Sequence, residues 1–353
     1  MRKVTPSNLL DLLLHVAPVR PVFVWGPPGI GKTAIVEEFG RQVGYRVVSL
    51  LGSQLAAEDL IGVPRIVDDF SVFAPPRLVA GHGDPIILFC DEFNASSSEV
   101  QKAFYSLITE QRIGEYRLPH GSVVMLASNR PQDNAITRTV SSALMNRVLH
   151  VELVPSARDW LVWAHGAGMH ELVTRYIETR PDHLFSAPPK TEEPFSTPRS
   201  WHILSDALAR YPKLEPGTVA LLAEGALSPS HAANFVGFCR GQLLELRIDD
   251  VIAGRRPLPT DPAERDLLTF VIQSLRNQLV KELPPAADGL SIDQKERIAA
   301  VRRLVREIAR VDEELLLLLF AREEGEHARN YPAWFIAQMA DTLGRLGRRI
   351  TAA

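Results

Sequence analysis

The stretch Gly26-Pro27-Pro28-Gly29-Ile30-Gly31-Lys32-Thr33 decides the reading of this chain. Its spacing, Gly-x4-Gly-Lys-Thr, is that of a loop that cradles phosphate. Before it, Pro21-Val22-Phe23-Val24-Trp25 reads as a short buried strand. After it, Ala34-Ile35-Val36-Glu37-Glu38-Phe39 repeats apolar residues at helical spacing. Strand, glycine loop and helix form the context that such a loop needs. Glycines let backbone N–H groups wrap an anion, and the helix N-terminus adds positive partial charge at the same point. Lys32 is then placed to reach the β- and γ-phosphates and Thr33 to put its hydroxyl on Mg²⁺, with Gly26 to Ala34 as the binding segment.

Cleaving a triphosphate takes more groups, and they follow in a workable order. Pro85-Ile86-Ile87-Leu88-Phe89-Cys90 is an uncharged run that ends in Asp91-Glu92. It reads as a buried parallel strand with two acids at its C-terminal end, where open α/β sheets keep their ligands. Asp91 suits the Mg²⁺ shell, and Glu92 suits the base that activates the attacking water. Ser122-Val123-Val124-Met125-Leu126-Ala127-Ser128 is a third buried strand, ending in Asn129, whose amide suits the lytic water or the γ-phosphate.

With these residues in place, the chain resembles the AAA+ ATPases. The glycine loop looks like Walker A, Asp91-Glu92 like Walker B and Asn129 like sensor 1. Other stretches resemble the MoxR branch, which carries an insert in its second helix. Asp59-Leu60-Ile61-Gly62-Val63 is similar to the entry of that insert, and Asp91-Glu92-Phe93-Asn94-Ala95 to the branch's longer acidic motif, here without its Arg. Ala143-Leu144-Met145-Asn146-Arg147-Val148 resembles the end of the helix that carries the arginine finger, and Thr197-Pro198-Arg199 the start of sensor 2. The resemblance covers residues 1 to about 245. Departures are Val148 where Phe is commoner, Arg130 after sensor 1, and the C-terminal extension.

The resemblance implies a fold and an activity. The fold is α/β, a P-loop NTPase parallel αβα sheet (the AAA+ core) in residues 1–155. A helical lid in 156–245 and a helical C-terminal extension in 246–353 follow. The activity is ATP hydrolysis with Mg²⁺, in a homo-oligomeric ring, expected to be a hexamer, that remodels a client protein. Family members often work with a partner that bears a von Willebrand A domain. Arg147 is preferred as the finger over Arg138, which stands earlier in a Thr-rich loop, because Arg147 directly precedes the apolar run Val148 to Leu153. Thr197 suits a helix cap and Pro198 the first helical position, so Arg199 projects from the first turn of a lid helix. Two alternatives stay open: a DNA-acting AAA+ protein, such as a restriction or loading factor, and a nucleotide-holding switch that turns over little. The intact Glu92 disfavours the switch.

Composition fits such a machine. The chain has 353 residues and is 46% hydrophobic, enough for two or three domains with real cores. A net charge of −3 gives no general attraction to nucleic acid or anionic membrane. In the first insert, Arg65 and Arg77 are offset by Glu58, Asp59, Asp68 and Asp69. Cys90 and Cys239 sit in apolar runs and read as buried free thiols of a reducing compartment. No secretory pattern follows Met1, and the apolar block Leu315 to Ala321 is too short to span a bilayer. The expected location is the cytoplasm. The histidines show no metal-ligand pattern.

Finer features are also predicted. Ser96-Ser97-Ser98-Glu99 is expected to form a capping box for a helix buried through Val100, Phe104, Leu107 and Ile108. Val63 to Pro75, turning at Asp68-Asp69, and Ile113 to Ser122 are expected as hairpins facing a substrate. The Pro-rich run Ala187 to Pro194 is expected as a mobile loop. Glu264 to Leu283, Ser291 to Arg322 and Tyr331 to Arg348 are expected as amphipathic helices, the second with the stripe Ile298, Val301, Leu304, Val305 and Ile308.

Overall fold

The computed structural model describes residues 1–81, 83–130, 139–243, 246–261, 264–287, 290–321 and 330–343. By contact the chain divides into two compact units, Met1–Tyr211 with Ala226–Ser228, and Pro212–Gly225 with Pro229–Ala353.

The first unit is built on alternating strands and helices. In chain order they are β1 (Lys3–Val4), α1 (Pro6–Val16), β2 (Val22–Trp25), α2 (Lys32–Val43), β3 (Arg46–Leu51) and α3 (Glu58–Ile61). Then come β4 (Val63–Val67), β5 (Phe70–Ala74), α4 (Arg77–Ala80), β6 (Ile86–Asp91), α5 (Ser98–Glu110), β7 (Arg112–Ile113), β8 (Tyr116–Arg117) and β9 (Val123–Ser128). After these lie α6 (Ser142–Met145), β10 (Leu149–Leu153), α7 (Ala157–Gly166), α8 (Glu171–Thr179) and α9 (Pro198–Arg210). Six strands form one parallel sheet in the order β1-β10-β2-β9-β6-β3. The chain leaves β2 for the far edge at β3 and returns past it to β10. The end of β2 is therefore a topological switch point, where a crevice opens for a ligand.

The period-2 alternation of the strands divides the core. Val22, Val24, Ile87, Phe89, Met125 and Val151 point to one face, packed with Leu9 and Leu13 of α1 and Val36 and Phe39 of α2. Phe23, Trp25, Val48, Leu88, Cys90, Val124 and Leu126 point to the other, packed with Val100, Phe104 and Leu107 of α5. Both faces are covered, which is why these strands read as continuous apolar runs. Cys90 is free and buried, and desolvation pushes its thiol up, out of reach of thiolate chemistry.

The cap of α5 differs from the expected box. Ser97 is the N-cap, accepting from the Val100 amide at 3.3 Å. Ser96 is committed elsewhere: its hydroxyl donates to the Phe93 carbonyl at 2.5 Å and closes the preceding 3-10 turn. The buried face of α5 is Val100, Phe104, Leu107 and Ile108, as expected. Both hairpins form. β4 and β5 pair antiparallel around Asp68 and Asp69, both at positive φ, the backbone that a two-residue primed turn requires. β7 and β8 pair around Gly114, at φ +55°. The Pro-rich run 187–194 is closed at its base by Ser186 and Ser196, which exchange hydrogen bonds of 2.8 and 2.9 Å.

Beyond these elements the described structure is helical: α10 (Pro216–Ala226), α11 (Pro229–Leu243), α12 (Ile248–Ile252), α13 (Arg265–Glu282), α14 (Ile292–Val311), α15 (Glu313–Phe320) and α16 (Ala333–Leu343). In the second unit the stripe of α14 is buried with Val271, Ile272 and Leu275 of α13, Leu316 of α15 and Phe335 of α16. The helix expected over Ser291 to Arg322 is two helices. Asp312 leaves helical backbone (φ −153°, ψ 110°) and caps α15, its Oδ1 accepting from Glu314 and Leu315 amides at 2.9 and 3.1 Å. Arg322 and the expected helical residues beyond 343 lie outside the described residues. Among the described residues no helix is long and apolar enough to cross a membrane.

Gly40 of α2 faces β3 so closely that a Cβ there would lie 2.4 Å from Val47 Cγ2 and 3.0 Å from the Tyr45 carbonyl. Helix propensity alone would make Gly40→Ala stabilising by up to ~1 kcal/mol. Overpacking of ~1–3 kcal/mol outweighs this, so the substitution is expected to lower the urea midpoint of unfolding. A raised midpoint would show that β3 gives way.

Candidate active site

Parallel strands deliver their C-terminal ends to one edge, and the expected site residues gather there. The loop after β2 turns through Gly29 (φ +75°) and Gly31 (φ +99°). Around Gly31 there is open space, so only the left-handed backbone calls for glycine. Gly31 brings no side chain to cap the first turn of α2, which leaves amides at that end for an anion.

Lys32 opens α2, and although charged it is only 8% exposed. Its ammonium donates to the carbonyls of Gly26 (2.9 Å) and Pro27 (3.0 Å), curling the loop around itself, and to Asn129 Oδ1 (2.8 Å). The last of these joins the loop to the end of β9, which pairs directly with β2. Thr33 Oγ1 donates to Asp91 Oδ2 at 2.8 Å, so the helix start also meets the end of β6. Hydroxyl and carboxylate oxygens meeting this way are the hard donors that Mg²⁺ takes. Ile30 is buried in the core, whereas Ala34 is exposed.

Glu92 adopts left-handed backbone (φ 50°, ψ 37°) without being glycine. Such a residue carries strain of order 1 kcal/mol and needs its surroundings to hold it. Those surroundings are visible. Its amide donates to Asp91 Oδ1 at 2.9 Å, and its carboxylate Oε2 accepts from the Ser53 hydroxyl at 2.7 Å. Gly52 packs so tightly beneath that a Cβ would lie 2.7 Å from the Glu92 carbonyl. Its amide donates to the Asp91 carbonyl at 2.8 Å.

Asn94 locks the turn after Asp91-Glu92 to the end of β9. It is buried, its amide donates to Ser128 Oγ at 3.0 Å, and its side chain donates to the Asn129 carbonyl at 2.8 Å. Arg130 donates to Glu152 of β10 at 2.5 Å, anchoring the chain just past Asn129.

The start of α9 rests on the phosphate loop. Thr197 caps the helix in a capping box with Ser200, and Pro198 takes the first position. The Arg199 amide donates to the Gly29 carbonyl at 3.1 Å. A Cβ on Gly29 would lie 2.6 Å from Thr197 Oγ1. The side chain of Arg199 is exposed. Arg147 stands apart from this cluster. It is exposed just before β10, its guanidinium 4.7 Å from the centre of the Tyr105 ring and donating to the Ala143 carbonyl at 2.8 Å. Arg138 lies outside the described residues.

The structure thus joins Lys32, Thr33, Asp91, Glu92 and Asn129 through direct bonds, and sets Thr197 and Arg199 on the same loop. Sequence reasoning missed Ser53, the hold on Glu92. A hydroxyl soon after a strand is a weak signal until the pairing of Leu51 with Asp91 shows that β3 ends beside β6.

Comparison with known proteins agrees with this geometry. The chain is 29% identical over 137 residues to the proteasome-activating nucleotidase of Methanococcus vannielii, covering 35% of this chain and 31% of that protein. It is 34% identical over 77 residues to the replication factor C large subunit of Pyrobaculum calidifontis, covering 21% and 17%. The chain therefore spans about a third or less of the length of these relatives. The RuvB Holliday junction branch migration motor of Thermotoga maritima aligns over 95% of this chain and 93% of its own, at 13% identity and a TM-score of 0.34. A score so low carries no weight. Residues 21–152 match the family model of the AAA domain, dynein-related subfamily. That span, a little over a third of the chain, takes in the strand, the loop, both carboxylates and Asn129, and it is similar to an AAA domain over those residues.

Proposed function

We propose that this chain is a subunit of a MoxR-like AAA+ ATPase, a cytoplasmic hexameric ring that couples ATP hydrolysis to the remodelling of a client protein. The observation that carries the reading is the meeting of Lys32, Thr33, Asp91, Glu92 and Asn129 at one edge of the sheet. The backbone amides of Gly29 to Ala34 donate to the phosphates of ATP, Pro27 and Pro28 having none to give, and Lys32 exchanges its carbonyl partners for the β- and γ-phosphate oxygens. Thr33 and Asp91 would hold Mg²⁺, which when bound neutralises charge on the leaving phosphate. Glu92 accepts the proton of the attacking water once it is released from Ser53, and Asn129 orients that water. Arg199 closes over the nucleotide from the same chain.

Arg147 acts on the neighbouring subunit's ATP. Its exposure and its distance in contact terms from the cluster support a role in trans, where its planar, permanently charged fork stabilises the transferring phosphoryl group. The hairpin β4–β5, inserted between β3 and β6, supports the helix-2-insert branch. It holds out Ile66 and Phe70, 75% and 73% exposed, as an apolar contact for a client. A von Willebrand A domain partner follows from the resemblance to that branch. The DNA-acting reading draws on the replication factor C match, but that match covers 21% of this chain.

Three outcomes test the reading. Lys32→Ala is expected to abolish ATP binding measured by calorimetry, because it removes the loop's cation; tight binding would refute the phosphate-loop assignment. Glu92→Gln is expected to bind ATP and hydrolyse it at least ~10²-fold more slowly, the usual loss on removing a general base. Near-normal turnover would move the base elsewhere. Arg147→Ala is expected to bind ATP yet turn over poorly, and mixing it with Glu92→Gln should restore activity, since one pocket then has both an intact Glu92 and an intact finger. A finger is worth on the order of 10³-fold, so even partial restoration is measurable. No rescue in rings shown by native mass spectrometry to be mixed would place Arg147 in cis or make it structural.

A further inference from the structure

A short hydrogen-bonded relay runs from the strand before the phosphate loop to the turn that bears Arg147. The Trp25 indole donates to His150 Nδ1 at 3.0 Å, and His150 Nε2 lies 2.8 Å from the Met145 carbonyl. An indole N–H is a donor only, so Nδ1 must accept. The ring proton then sits on Nε2 and is donated to Met145. Of the imidazole's forms, only the neutral Nε2–H tautomer satisfies both partners. Pairing of β10 with β2 sets His150 opposite Phe23, and the ring lies within the aromatic group of Phe23 and Trp25, at centroid distances of 5.6 and 6.2 Å.

Each end of the relay matters for position. Trp25 is followed by Gly26, whose carbonyl holds the Lys32 ammonium. Met145 ends α6, two residues before Arg147. A helix leaves its last carbonyls without helical partners. Here the turn closes on itself for three of them: Asn146 N donates to Ser142, Arg147 Nη1 to Ala143 and Arg147 N to Leu144. The Met145 carbonyl is taken by His150, from a different element.

We propose that His150 is a positioning residue for the finger: its imidazole, oriented by Trp25, fixes the Met145 carbonyl and couples a subunit's own phosphate loop to the Arg147 that it offers its neighbour. The inference rests on the reading of Arg147 as a finger in a ring. Because misplacing a catalytic group by about 1 Å costs on the order of 10²-fold in rate, loosening the turn acts on turnover rather than on ATP binding.

The test uses the full chain in assembled rings. His150→Phe keeps a flat ring and removes both hydrogen bonds. It is expected to lower kcat by about 10- to 10²-fold with KM for ATP little changed. Mixing it with Glu92→Gln subunits, which supply an intact His150 and Arg147, is expected to restore turnover. His150→Gln offers an amide oxygen to Trp25 and an amide N–H to Met145, and is expected to keep most of the activity. A merely structural role would not produce this split or a rescue in trans. Full activity of His150→Phe where Arg147→Ala is inactive overturns the inference and leaves the finger reading intact. So does a loss that comes with raised KM and no rescue, which would put His150 in its own pocket. If His150→Phe does not assemble, Trp25→Phe, which keeps an aromatic ring but loses the indole donor, carries the test; it is expected to show the same rescuable loss, and unaltered turnover overturns the inference. Failure of the Arg147→Ala mixture itself is the separate result that overturns the finger reading and this inference with it.

Discussion

An ammonium taken out of water must find oxygen partners, and the Lys32 ammonium is taken almost wholly out. Its three named partners come from two places: the loop carbonyls of Gly26 and Pro27, and the amide of Asn129 at the end of a neighbouring strand. That requirement ties the curl of the loop to the register of β2 with β9. The same helix start ties β6 through Thr33 and Asp91. Carbonyls and an amide are weaker partners for a cation than phosphate oxygens are, so the loop is already shaped for an anion that binds better.

Strain is placed where chemistry is proposed. Glu92 sits in left-handed backbone directly after Asp91, and its cost is met by bonds rather than by a glycine at that position. The glycine lies instead beneath it, at Gly52, where any larger residue would collide with the Glu92 carbonyl. The carboxylate is thus aimed by its backbone and steadied by Ser53. A similar division recurs at Gly29, whose missing Cβ lets the cap of α9 sit against the phosphate loop. Motion of that loop and of the start of α9 cannot then be independent.

β10 collects the remaining connections. Glu152 anchors Arg130 just beyond Asn129, and His150 joins Trp25 to the turn before Arg147. Both side chains point to the same face, two residues apart, as a strand requires. One short strand therefore lies in contact with the residue after Asn129, the approach to the phosphate loop and the turn before Arg147. An apolar strand would have served the core equally well; a histidine and a glutamate at these positions serve the edge.

The parts legible in the sequence were those governed by local rules. Gly26 to Thr33 announced itself because a phosphate loop needs glycines, a lysine and a hydroxyl at fixed spacing. The strands before it and before Asp91 and Asn129 announced themselves because two covered faces demand unbroken apolar runs. The buried stripes of α5 and α14 followed from helical period. Local rules also set the limits. Ser96 could not be told from Ser97 as a cap, because its hydroxyl was claimed by a turn that only the folded chain makes. Asp312 did not stand out as a break, because an acidic residue between two apolar helical patterns is also a tolerable surface position. The tertiary structure alone decided that β3 ends beside β6, so that Ser53 meets Glu92. It alone placed Thr197 on Gly29 and His150 between Trp25 and Met145. Except for His150 and Met145, which are five residues apart, these pairs are far apart in the chain, and their contacts depend on strand order and register, which no spacing in the sequence encodes.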